Sequence, residues 1–332
     1  MKDVSMGFKR IGFYSVYSED IFDDDAVSDR NASDWVFILG PQRSGTSVLA
    51  NSLNLHPDCI IHNESNFLFF FKFLLHNLYL RSVNAPFYKR WNIDEITIPM
   101  DTEPTCNLVN FNPFVDNINA FVEELYENSE YLYNMFNYDD LRNYAEAYRN
   151  SFTKKSNTKI FGDKCPAYIF IYEDILKAFP KSRIIVTNRN VMDMVASIHE
   201  KIVVNGAWEN KQNVFFEKNM AEFIYQQIKK VLLYSIRVKE MQDDLDARNV
   251  SFFLAQYEHM AENPINKYND ILEFLGLDST KYDWQKFTHH YNRNLYNWRD
   301  RLPEEETTQA IDRIILEDDI ADIFKIELEK SK

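Results

Sequence analysis

Between positions 35 and 47 the chain reads WVFILGPQRSGTS. Trp35 to Leu39 form a short, uninterrupted apolar run that ends at a glycine, the pattern of a strand buried on both faces of a parallel sheet. Beyond it, Val48, Leu49, Leu53 and Leu55 recur at roughly helical spacing, so a helix is expected from about Gly45. The chain has only seven glycines in 332 residues, about a third of average usage, yet two of them, Gly40 and Gly45, bracket this turn. In a strand, glycine-bracketed turn and helix start, successive backbone N–H groups face one anion and the helix dipole favours it.

The nucleoside-triphosphate version of such a loop ends in Gly-Lys-Ser/Thr, with the lysine on the terminal phosphates. Here Thr46 occupies the lysine position, and the loop's cation is Arg43. A kinase or nucleotide hydrolase is therefore disfavoured.

Outward from the loop, strands and helices alternate. Cys59 to His62, Lys159 to Phe161, Ser182 to Thr187 and Val250 to Leu254 read as strands. Tyr168 to Phe179, Asn190 to Val203, Phe215 to Leu245 and Ile265 to Leu275 read as helices. This alternation predicts an α/β fold with a parallel sheet covered on both faces. Residues 1–33 read as an acidic arm, and 34–332 as one domain with a helical insert at 66–152. The domain ends in a helix over 303–332, with Pro303 and three glutamates at its start. Phe67 to Leu80, the most apolar window, is too short to span a bilayer and reads as a buried helix.

The net charge of −14 makes a nucleic-acid partner or an anionic membrane surface a poor match, so any bound anion must be held locally. The three cysteines, Cys59, Cys106 and Cys165, build neither a disulfide framework nor a CxxC metal site. With no apolar signal core near the N-terminus, they point to a reducing, cytoplasmic setting.

Gln42-Arg43-Ser44-Gly45-Thr46-Ser47, followed by His56-Pro57-Asp58 and Glu64, resembles the 5′-phosphosulfate loop of sulfotransferases that use 3′-phosphoadenosine 5′-phosphosulfate (PAPS). The pattern is closest to the tyrosylprotein and bacterial-type enzymes. Further blocks agree in order: Asp163-Lys164-Cys165-Pro166 with the Lys-x-Pro segment, and IIVTNRNVMDMVAS (184–197) with the 3′-phosphate signature. Tyr257-Glu258 with ILEFLGL (271–277) matches the tyrosine–glutamate turn and its helix end. The segment NLYNWRDRLP (294–303) keeps a tryptophan and cations but lacks the small residues usual there.

The resemblance implies a three-layer α/β/α, P-loop NTPase-like sulfotransferase fold and an in-line sulfuryl transfer that leaves 3′-phosphoadenosine 5′-phosphate (PAP), with no metal. It assigns Arg43 and Lys164 to the transferring group and Glu64 to the acceptor's proton. Gln42, Arg43, Ser44, Gly45, Thr46 and Ser47 would hold the 5′ end of the donor. Arg189 and Ser197 would hold the 3′-phosphate, with Trp298 as a stacking surface and Arg299 and Arg301 closing over phosphate or adenine. Competing roles stay open: Glu64 as a helix cap, His62 or His199 as base, and Arg189 as a partner of Asp193 four residues on.

The acceptor is expected to be a hydroxyl of a carbohydrate or small hydroxylated metabolite, because a −14 chain repels a sulfated polymer. Tyrosine in a protein, a P-loop kinase activity, and an inactive relative that binds nucleotide or partners are the alternatives. A homodimer is compatible with the resemblance.

Overall fold

The computed structural model describes residues 35–65, 68, 142, 145–146, 149, 158–204, 219–287, 295–317 and 320–329. The acidic arm, Cys106, residues 215–218 and nearly all of the 66–152 insert lie outside them. In the apolar window at 67–80, Leu68 is described; it is helical and buried.

Five strands, β1 (Trp35–Leu39), β2 (Cys59–Asn63), β3 (Ile160–Lys164), β4 (Arg183–Asn188) and β5 (Phe252–Gln256), form one sheet. Their order is β2-β3-β1-β4-β5 and every pairing is parallel. β1 and the centre of β4 were legible as apolar runs because a parallel strand covered on both faces has no solvent side to alternate with. β1 shows this directly. Trp35, Phe37 and Leu39 point into one apolar cluster and Val36 and Ile38 into another, and all five are fully buried.

The helices that cover these faces are α1 (Thr46–Leu53), α2 (Tyr172–Ala178), α3 (Val191–His199), α4 (Met220–Ala247), α5 (Tyr257–Glu262) and α6 (Pro264–Phe274). α2 and α4 pack on the Trp35 face through Tyr172, Ile175, Tyr234, Val238 and Met241. α1 and α6 pack on the Val36 face through Leu49, Leu53, Tyr268, Ile271 and Leu272. A third cluster joins α3 and α4 to α7 (Trp298–Arg301) and α8 (Glu304–Ile315), with α9 (Ala321–Glu329) after them. The result is the three-layer α/β/α arrangement with a central parallel sheet that the sequence implied.

Two helical expectations are corrected. The Tyr168–Phe179 segment is broken at Ile171 (φ −130°) into a 3-10 turn at Pro166–Phe170 and then α2, and Ile171 is itself buried. The terminal segment forms α8 and α9 rather than one helix. α8 ends in tightened i→i−3 bonds, Leu316 N–H to Arg313 and Glu317 N–H to Ile314, where the Glu317 carboxylate is drawn to Tyr225 and Lys229 of α4. α3 starts as its sequence suggests: the Asn190 side chain accepts from the N–H groups of Met192 and Asp193 and caps it. It runs on into a π turn at Glu200–Val204.

Chain order reverses around β1, between β3 and β4, which is where an open α/β sheet places its ligands at the carboxyl ends of the strands.

Candidate active site

The β1–α1 turn is tight. Gly40 (φ 144°), Arg43 (φ 68°) and Gly45 (φ 93°) all have positive φ. A Cβ at Gly40 would lie 2.3 Å from both the carbonyl and the hydroxyl oxygen of Thr187 in β4, so the turn needs glycine there for space as well as conformation. Ser44 fastens the turn: its hydroxyl donates to the Pro41 carbonyl at 2.6 Å and pairs with the Thr187 hydroxyl at 2.6 Å. Gly45 is the N-cap of α1 and no side chain caps that helix, so its first N–H groups face the turn. Thr46 is buried, and Gln42 is half-buried on the rim.

Two groups of side chains meet at this turn. In the first, Lys164 at the end of β3 is wholly buried, and its Nζ donates to Ser47 Oγ at 3.0 Å and to Glu64 Oε1 at 2.5 Å. Glu64 follows the last residue of β2 with φ 58°; its N–H donates to the Lys164 carbonyl at 2.6 Å and its side chain is 37% exposed. One cation thus touches both the start of α1 and the carboxylate at the neighbouring strand end.

In the second group, Arg43 Nε donates to Ser197 Oγ of α3 at 3.0 Å, and Arg189 Nη1 donates to the Arg43 carbonyl at 3.3 Å. The Arg189 guanidinium lies over the Tyr257 ring, 4.0 Å from its centroid. Desolvation lowers the pKa of both arginines; Arg189 is buried, whereas the Arg43 side chain stays exposed. Arg301 pairs with Glu200, its positive charge is felt at Arg43 and Arg189, and its Nη1 is buried without a hydrogen-bond partner among the described residues. Arg43, Arg189 and Ser197 therefore converge beside the turn, within reach of the Arg301 charge.

Trp298 and Arg299 are placed differently. Trp298 is only 6% exposed, inserted among α3 and α4 side chains, and the Arg299 guanidinium covers its ring at 4.2 Å. Its position is that of a core anchor for the short helix carrying Arg301. Both candidate histidines have lowered pKa values. Burial against the Phe161 ring pushes His62 down to about 4, and burial followed by the Arg301 charge lowers His199. Asp193 is engaged with the Tyr296 N–H at 2.7 Å.

Tyr257, Glu258 and Asp163 lie in the blocks that carry the resemblance, but what each of them supports is visible only in the structure. Tyr257 underlies Arg189, and Glu258 accepts the Asn190 N–H at 2.9 Å, so the tyrosine–glutamate pair after β5 fixes the Arg189–Asn190 turn. Asp163 is fully buried and accepts from Ser65 N–H, Ser65 O–H and Tyr168 O–H. Burial pushes its carboxyl up to about 6, against the pull of those hydrogen bonds. Among the described residues no group of three or more His, Cys, Asp or Glu is placed to hold a metal ion.

A family model described as the sulfotransferase family matches residues 35–281, which include the turn, Glu64, Lys164, Arg189, Ser197 and Tyr257. The chain belongs to the sulfotransferase family. Solved structures similar to this sulfotransferase include one from Alicyclobacillus acidocaldarius, 20% identical over 84% of this chain and 93% of that one, with a TM-score of 0.42. The sulfotransferase domain of the Synechococcus PCC 7002 olefin synthase is 17% identical over 90% and 97%, with a TM-score of 0.40. A Mycobacterium avium sulfotransferase is 15% identical over 83% and 70%, also at 0.40. Among curated proteins none matches. The assignment rests on the family model, and it makes this chain a sulfuryl-transferring enzyme. No helix among the described residues is long and apolar enough to cross a membrane.

Proposed function

We propose that this sulfotransferase moves the sulfuryl group of PAPS onto a hydroxyl of a carbohydrate or small hydroxylated metabolite. The observation that carries the reading is the placement of Lys164 Nζ between Ser47 Oγ of the anion-binding turn and Glu64 Oε1. A positive charge there stands at the junction of donor and acceptor, with a carboxylate beside it to take a proton.

The residues fit the donor on two counts. The start of α1 offers backbone N–H groups to the 5′ end, and the buried Arg301 Nη1, with no hydrogen-bond partner among the described residues and its charge felt at Arg43 and Arg189, suits a second anion such as the 3′-phosphate. In this scheme Glu64 accepts the hydroxyl proton as the acceptor oxygen bonds to sulfur. The bond from sulfur to the 5′-phosphate oxygen breaks, its electron pair stays on that oxygen, and Lys164 and Arg43 offset the charge collecting there. Buried Trp298 is better suited to anchoring Arg301 than to stacking on the base. Cys59 and Cys165, both buried, are compatible with a cytoplasmic enzyme.

The test is calorimetric binding of PAP, compared with ATP plus magnesium, to the wild type and to Arg189→Ala. Tight binding of PAP without metal, lost in the variant, is the expected result. Stronger binding of ATP with magnesium would replace this reading with a P-loop kinase.

A further inference from the structure

Glu64 is a non-glycine residue in left-handed backbone, at the point where β2 leaves the sheet. Such a conformation costs on the order of 1 kcal/mol and persists only where surrounding contacts hold it. On its N-terminal side the contact is the last ladder bond, Glu64 N–H to the Lys164 carbonyl. On its C-terminal side the contacts come from Asp163. One carboxylate oxygen accepts the Ser65 N–H at 3.2 Å, and the other accepts the Ser65 hydroxyl at 2.7 Å and the Tyr168 hydroxyl at 2.8 Å. The Tyr168 oxygen in turn accepts the N–H of Leu68 at 3.1 Å. A fully buried carboxylate is costly to place, and a purely apolar core would have no need of one.

Resting on the assignment of Glu64 as base, we propose that Asp163 is its positioning residue: the buried carboxylate clamps Ser65 and so fixes the turn that brings the Glu64 side chain onto Lys164. Asp163 touches neither the proposed donor nor the acceptor and acts through the backbone of the base. The clamp also reaches Leu68 through Tyr168, so the start of the insert is set by the same carboxylate. Asp163 and Lys164 are adjacent in β3; one fixes where the base stands and the other is its ionic partner.

The experiment measures release of PAP from saturating PAPS, with water or a small alcohol as acceptor, and donor affinity by calorimetry. The variants are Ser65→Ala, Asp163→Asn and Tyr168→Phe, each alone and combined with Glu64→Gln. Glu64→Gln should lower the rate by about 10²- to 10⁴-fold, the usual size of general-base catalysis. Ser65→Ala and Asp163→Asn should lower it about tenfold or more, leave donor affinity within about twofold, and cause no further loss in the Glu64→Gln background, because their effect passes through that carboxylate. The same loss in both backgrounds, or a donor affinity that weakens in step with the rate, would overturn the proposal. Ser65→Ala removes a single hydroxyl and keeps the test available should Asp163→Asn fail to fold. If Glu64→Gln leaves the rate unchanged while PAP still binds, the base assignment falls and the positioning role with it. If PAP does not bind the wild type, the donor reading itself is wrong.

Discussion

Lys164 Nζ lies 2.5 Å from Glu64 Oε1 with the lysine side chain wholly buried and the glutamate 37% exposed. The pair is therefore lopsided: the cation has lost its water and the anion keeps part of its own. Replacing the glutamate leaves a buried ammonium short of its counter-charge, which costs about 1–3 kcal/mol here, less than for a fully buried pair. Replacing the lysine with Met removes the desolvation along with the charge. Lys164→Met should accordingly keep or raise the denaturation midpoint while abolishing transfer, and Glu64→Leu should lower both. Urea unfolding alongside the PAP-release assay checks this; parallel losses of stability and rate in Lys164→Met would contradict it.

Arg189 is expected to govern nucleotide choice rather than general affinity. Its guanidinium is stacked on Tyr257 and tied to the Arg43 carbonyl, beside Arg301. Arg189→Ala should weaken PAP binding by about 10²-fold, near the upper end for one charge-assisted contact. Binding of adenosine 5′-phosphosulfate, which lacks the 3′-phosphate, should change much less. Equal losses for the two ligands would mean that the arginine supports the turn instead of reading the phosphate.

The closeness of Gly40 to Thr187 predicts a purely steric effect. An alanine Cβ at 2.3 Å from a backbone oxygen forces the turn away from β4. Gly40→Ala should cost on the order of 2–4 kcal/mol and weaken PAP binding as well, because the N–H groups of the turn move with it. Thermal unfolding and calorimetry on one sample would show whether the losses coincide.

Two groups give opposing pH dependences. His62 has a folded-state pKa of about 4, below its ordinary 6.5, so the unfolded chain binds more protons between those values and stability falls as pH drops through that window. Asp163, at about 6 against an ordinary 3.8, has the opposite sign and contributes less as pH rises from about 4 to 6. Relative to wild type, His62→Gln should gain stability as pH falls from 6.5 to 4, by at most about 3 kcal/mol. Asp163→Asn should lose ground over the same descent. Melting temperatures at half-unit pH steps separate the two; parallel curves for wild type and His62→Gln would remove the histidine from the account.

What was legible in the sequence was whatever is written locally. WVFIL, CIIH and SRIIVT announce strands because buried parallel strands are continuous apolar runs, and the glycine-bracketed turn announces an anion site because its geometry depends on nearby residues. What was not legible depends on distance along the chain or on what surrounds a side chain. Ser65 and Asp163 are 98 positions apart, and neither reveals the other. The resemblance suggested Trp298 as a stacking surface, whereas packing against α3 and α4 buries it. The break at Ile171 follows from how that buried side chain fits the core, which helical periodicity does not encode.

β2 is the outermost described strand on its side of the sheet, whereas β1, β3 and β4, which lead into the cationic groups, are interior. An edge is the cheapest place for a sheet to fray. The carboxylate proposed as base thus hangs from an edge strand, and the cations proposed to face the donor stand at the ends of interior ones. Amide exchange would open the catalytic step before the nucleotide grip, so mild heating should leave a protein that still captures its donor after it has stopped turning it over.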